Sequence, residues 1–227
     1  MRYPVLYYFY LAINMGVGII AIFRFQKMIK PLKVVCGLLI YWAFAELAEF
    51  ITASNDIHNE WIVQINNLVE VIAFVAIYYI WKTSERNGKL LISSVGLFVI
   101  LWIIAKFTFE PIYAPDEITW SLSRLIEMSF GVYFFLNILR EENDIPWFNN
   151  PKLLVTSSFV IYSAGAFFLF SLFVPLLKYS VPLLKMIYHI NWAISIIASA
   201  CYVRAFYCDA SMASAFGRQQ SSIVTPS

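Results

Sequence analysis

Charge is scarce in this chain. Asp, Glu, Lys and Arg together make up 13% of the 227 residues, while apolar residues make up 61%. Ordinary globular domains carry roughly twice that share of charge, so a soluble single domain is excluded. Histidine is scarcer still, with two in the chain, and His58 falls in a connection between apolar stretches. A membrane zinc hydrolase needs three histidines with acidic and seryl partners, so that chemistry fails on ligand count, and no metal site is expected. The three cysteines, Cys36, Cys201 and Cys208, lie in or beside apolar segments without metal-type spacing. They make no disulfide framework. No Gly-rich phosphate loop, G-x-S-x-G elbow or paired-cysteine motif is present, so no catalytic residue and no cofactor is expected. A basic face for nucleic acid is absent as well. No proline falls in the middle of an apolar run, which removes the usual signal for the interrupted helices of secondary transporters.

Long apolar runs are what the chain does have. Seven of them, at 4–23, 34–52, 61–81, 90–108, 118–139, 153–177 and 182–207, can each cross about 30 Å of hydrocarbon at about 1.5 Å per residue. The expected fold is all-α: a polytopic seven-transmembrane-helix bundle over 1–207, followed by a short disordered tail at 208–227. The first run is too long and too aromatic for a cleaved signal peptide and has no small-x-small site, so it reads as a retained span. Orientation follows from Lys and Arg. Eleven, including Arg24, Lys27, Lys30, Lys33, Arg86 and Arg204, fall on one side, and Arg2, Lys106, Lys178 and Lys185 on the other. The N-terminus is therefore expected outside, the tail in the cytoplasm, and the protein in the inner membrane. Tyr7, Tyr8, Tyr10, Tyr78, Tyr79, Trp81 and Trp147 read as interfacial aromatics, and Asn14 with Gly16 and Gly18 as an aid to close helix packing.

The informative residues are the polar exceptions. The stretch "IVQINNLVEVIAFVAIYYI" carries Gln64, Asn67 and Glu70 at threefold spacing, with Glu70 about 13 Å along the helix. Glu46 and Glu49 lie in the last turns of the second span, Arg124 and Glu127 in the early turns of the fifth, and Lys185, Tyr188, His189 and Asn191 early in the seventh. Given the orientation, all eleven fall in the outer half of the membrane. Spacings of three and four put each set on one helical face. Asn66 lies off that face. Four carboxylates turned to lipid would each cost several kcal/mol, so they are expected inward, paired with Arg124 and Lys185 and with His189 as a third cation. Four acids against two fixed cations also imply a protonated carboxyl, a cationic ligand or a watery cleft. Lys185 sits too near the span's end for a retinal Schiff base.

The stretches "NNLVEVIAFVAIYY", "SSFVIYSAGAFFLFSLF" and "MIYHINWAISIIASACYVRAFYC" resemble small uncharacterised seven-helix bacterial membrane proteins and the membrane input halves of some sensor histidine kinases. That resemblance implies stimulus detection within the bilayer and output through a cytoplasmic kinase. With about 20 residues after the last span, a separate cytoplasmic partner is expected to carry the signal. The leading expectation is thus a sensory bundle that binds a small polar or amphipathic ligand, or a proton, in an outer-half cleft. A small carrier or proton-coupled permease would use the same acids as a relay, but needs polar groups through the inner half. A lipid-head-group enzyme lacks a nucleophile or metal set, and a structural subunit with an incidental polar network fits the residues without using them.

Overall fold

Seven long helices form because the apolar runs leave the backbone no other way to satisfy its hydrogen bonds in hydrocarbon. The computed structural model describes residues 4–81, 85–113, 118–140, 146–172, 176 and 180–208. Its helices are α1 (Val5–Arg24), α2 (Lys30–Ser54), α3 (Glu60–Ile80), α4 (Glu85–Thr108), α5 (Ile118–Arg140), α6 (Pro151–Ser171) and α7 (Val181–Phe206), and there is no strand among the described residues. All seven are long and apolar enough to cross a membrane. This fits a multi-pass membrane protein. The expected C-terminal tail lies outside the described residues beyond Cys208.

Helix ends follow local chemistry, not the limits of the apolar runs. Lys30 and Lys33 lie within α2, and Arg86 and Lys89 within α4, because a helix can continue past the hydrocarbon with its side chains in water. Pro31, Pro151 and Pro182 occupy first-turn positions, where a missing N–H costs nothing. Asn150 accepts a bond from the Leu153 N–H and so caps α6. The α2 terminus closes with two reversed bonds, Asp56 N–H to Ala53 C=O and Ile57 N–H to Thr52 C=O. That geometry places Asp56 at φ 55°, a left-handed position that Asp tolerates better than most residues. Glu110 caps α5 from the preceding connection, accepting from Thr119 N–H and Oγ1 at 3.1 and 2.9 Å while Lys106 lies 3.7 Å away.

Helix pairing makes a closed ring: α1 packs on α2, α2 on α3, α3 on α5, α5 on α6, α6 on α7 and α7 back on α1. The remaining helix, α4, leans on α3 and α5 from outside. Two glycines let the ring close tightly. A Cβ on Gly131 would meet Val160 Cγ2 at 2.7 Å, and one on Gly165 would meet Ile194 Cδ1 at 2.8 Å. The exterior is apolar, as lipid requires; Phe23 and Phe107 are 82% and 87% exposed.

Inside the ring, the two halves differ. Where α1 and α3 end and α2 and α6 begin, the core is apolar: Val35, Leu39, Phe74, Tyr78, Phe134, Phe159 and Tyr202 pack together. Tyr78 stacks on Phe134 with ring centres 4.4 Å apart, and Phe159 meets Phe74 and Tyr202 edge-on. Tyr7, Tyr10, Tyr78 and Trp81, expected at the aqueous interface, are instead buried, because each faces a neighbouring helix and not the lipid. The opposite half holds the polar residues. Replacing Gly131 with Ala is expected to cost about 1–3 kcal/mol of stability through overpacking against the stiff Val160. Gly96→Ala, which meets nothing within 4 Å, is expected to leave the thermal unfolding midpoint in detergent unchanged.

Candidate functional site in the ring of helices

On α3 the buried stripe is polar for two turns before it turns apolar. Gln64, Asn67 and Glu70 are 0%, 0% and 1% exposed, and Val71, Phe74 and Val75 continue the stripe. The facing stripe of α5 runs Thr119, Trp120, Ser123, Arg124, Glu127 and Gly131. Three-residue spacing on both helices brings their polar groups level. Ser123 Oγ donates to Asn67 Oδ1. Arg124 Nη2 pairs with Glu70 Oε2, and its Nη1 lies 2.7 Å from Glu127 Oε2. Ser163 on α6 donates to the same Glu127 oxygen at 2.8 Å. Arg124 is therefore a buried bridge between two carboxylates that ties α3, α5 and α6 together. The rings of Tyr162 and Trp120 flank the guanidinium, centred 5.1 and 5.7 Å from its carbon.

Glu70 also faces a second environment. A small cavity of about 20 Å³ lies between the helices of the ring, with Glu46 and Glu70 on its wall. Tyr10 and Asn14 border it from α1, Trp42 from α2, Asn66 from α3, Tyr162 from α6, and Ser195, Ser199 and Tyr202 from α7. Such a volume holds one or two water-sized occupants, since one water needs about 10–15 Å³. Tyr10 Oη donates to Glu46 Oε1, and Ser199 donates to Asn14 Oδ1 at 3.2 Å. Glu70 Oε1, Asn66 Oδ1, Trp42 Nε1 and Tyr202 Oη are buried without a hydrogen-bond partner among the described residues. Buried polar atoms in that condition are costly, and they border one space.

The expected eleven-residue set is therefore distributed over several environments. Glu70, Arg124 and Glu127 form one ionic group, and Asn67 adjoins it through Ser123. Glu46 shares the cavity wall with Glu70 and accepts from Tyr10. Gln64 donates to the Pro111 carbonyl at 3.2 Å and so pins the connection between α4 and α5. Glu49 is half-buried one turn nearer the α2 terminus, outside the cavity wall, and its backbone carbonyl accepts from Asn59. On α7, Lys185 is exposed and makes no ion pair among the described residues. Tyr188 and His189 are half-buried, with ring centres 5.9 and 5.4 Å from that of Trp192. Asn191 is half-buried toward α6, beside Gly165.

Of the cavity wall, sequence reasoning picked out Glu46 and Glu70 and passed over the rest, though a signal for much of it exists. The wall residues come as pairs four apart: Tyr10 with Asn14, Trp42 with Glu46, Asn66 with Glu70, and Ser195 with Ser199. The threefold spacing of Gln64, Asn67 and Glu70 selects the side of α3 that faces α5. The fourfold step from Asn66 to Glu70 selects the side that faces the cavity. Glu70 belongs to both.

No protein-family model matches the chain, and neither the curated proteins nor the solved structures hold a match to it.

Removing one member of a buried ionic group strands the others. Arg124→Met is expected to cost about 3–5 kcal/mol, read as a lower unfolding midpoint in detergent. Adding Glu70→Gln and Glu127→Gln to that variant should restore much of the loss, because no uncompensated carboxylate then remains.

Proposed function

We propose that this chain is a sensory bundle of the inner membrane, with its N-terminus outside, that responds to occupancy of the ring cavity and signals through a separate cytoplasmic partner. One observation carries the reading: Glu46 and Glu70, from adjacent helices, border one small cavity, and the Arg124 guanidinium that pairs with Glu70 is already shared with Glu127. Two carboxylates that border one small space interact, so a change in the charge of either alters the forces between helices. The small volume favours a proton or a water-sized species over an amphipathic molecule.

The response would act through Arg124. When Glu70 loses its charge, the guanidinium is held by Glu127 alone, and α5 with α6 gains freedom relative to α3. At the opposite end of the bundle, Arg204 of α7 donates to the Phe148 carbonyl at 2.9 Å and to Asn149, just before α6. Arg24 donates to the Phe206 carbonyl at 3.3 Å and lies over the Tyr207 ring. These contacts join the helix ends, so a small shift of α6 would reach the basic face and the tail. A carrier is less well supported. It needs a polar route through the other half, where Phe74, Tyr78, Phe134 and Phe159 pack closely.

Reconstituted protein carrying spin labels at the basic ends of α3 and α6 should show a pH-dependent change in label distance. Glu46→Gln and Glu70→Gln should shift or abolish it; a response identical in both variants, or none in the parent, would overturn the reading. Orientation has its own check. In a background without native cysteines, Ser54→Cys should react with an impermeant thiol reagent from outside and Ser84→Cys only after the membrane is opened, and the reverse pattern would invert the topology.

A further inference from the structure

The cavity wall is rich in oxygen. Besides the two carboxylates it carries the amides of Asn14 and Asn66, the hydroxyls of Ser195 and Ser199 and, among the described residues, no lysine, arginine, histidine or cysteine. We propose that this cavity is a binding site for one dehydrated monovalent cation of sodium size, held by Glu46, Glu70 and the Asn66 side-chain oxygen. The inference deepens the sensory reading and rests on it for its consequence, though binding itself can be tested alone.

Three features point to a cation and not merely to water. First, two buried acceptors meet at the wall: Glu70 is 1% exposed, yet its Oε1 has no hydrogen-bond partner among the described residues, and neither has Asn66 Oδ1, while the unpartnered donors Trp42 Nε1 and Tyr202 Oη suit a water beside the ion. Second, charge is unbalanced. Arg124 spreads one positive charge over Glu70 and Glu127, which leaves that group one negative charge in excess, and Glu46 adds another. A water cancels none of this, while a monovalent ion cancels half. Third, size and donor type select within cations. A space for one or two water-sized occupants leaves no room for the several waters that magnesium retains, and Glu46, Glu70 and Asn66 offer fewer oxygens than the six to eight that calcium takes. Imidazole and thiolate, which transition metals favour, are absent from the wall among the described residues.

The groups that set the field come from every surrounding helix: Tyr10 on α1, Glu46 on α2 with Glu49 a turn away, Glu70 on α3, Arg124 and Glu127 on α5, Tyr162 on α6 and Tyr202 on α7. A carboxylate oxygen can take either a proton or the cation. Protons and the cation should therefore compete for the same oxygens.

Thermal unfolding of the purified full chain in detergent, in sodium chloride against potassium chloride and choline chloride at equal ionic strength, tests this directly. Sodium is expected to raise the midpoint above both other salts, with a larger rise at higher pH. Glu46→Gln should move the sodium concentration for half the effect up about tenfold or more, as expected for loss of a charged ligand. Asn66→Ala, which breaks no ion pair, serves as the second variant and should weaken the effect in the same direction. Equal midpoints in all three salts, or a sodium effect untouched in both variants, would overturn the cation site. A pH-dependent label distance that persists without any sodium effect would leave the sensory reading standing and remove this inference. A sodium effect lost in both variants, with no conformational response to either ion, would do the reverse.

Discussion

The buried guanidinium of Arg124 organises the polar half of this protein. A positive charge held 1% exposed is tolerable only with counter-charges in contact, and Glu70 and Glu127 supply them from two helices. Ser163 and the rings of Trp120 and Tyr162 complete the shell. Because Glu70 lies on α3, Glu127 with Arg124 on α5 and Ser163 on α6, the relative positions of α3, α5 and α6 are set at this level by one ionic group and its hydrogen bonds. The packing of Gly131 against Val160 holds the same α5 and α6 interface about one turn further along. Arg124 is thus less a ligand-binding residue than the reason Glu70 can stay buried and keep one oxygen free for the cavity.

That division of Glu70 gives the ring its asymmetry. One half is sealed by aromatic packing between Phe74, Tyr78, Phe134, Phe159 and Tyr202. The other carries the ionic group on the α5 side and the oxygen-lined cavity toward α1, α2 and α7. The helix ends at the far side are tied by Arg24 and Arg204 to backbone carbonyls, so movement in the polar half has a mechanical route across the bundle.

Much of the site was legible in the residues. Glu46, Glu70, Arg124 and Glu127 stand out because a carboxylate or guanidinium deep in an apolar run must find a partner, and their spacing placed them on inward faces. Lys185 was legible only as a charge; its position near the start of α7 lets it extend outward, and it is exposed. Asn66, Asn14 and Tyr10 were harder. An amide or phenol in a helix can bond a neighbour, meet the interface or line a cavity, and nothing local separates these outcomes. Their fourfold pairing with Glu70 and with each other becomes meaningful once the ring is known to enclose a space.

By itself the sequence determined that seven helices form, where each can cross hydrocarbon and which half of the bundle concentrates polar groups. Those properties depend on the transfer cost of each side chain and on the pitch of a helix, which act residue by residue. Tertiary structure alone decided that six of the helices close into a ring with α4 outside, that Arg124 takes Glu70 and Glu127 and leaves Glu46 to Tyr10, and that Asn66 and Asn14 face a common space. Those outcomes turn on which helix faces meet, and a contact between faces is a property of pairs that no single segment contains.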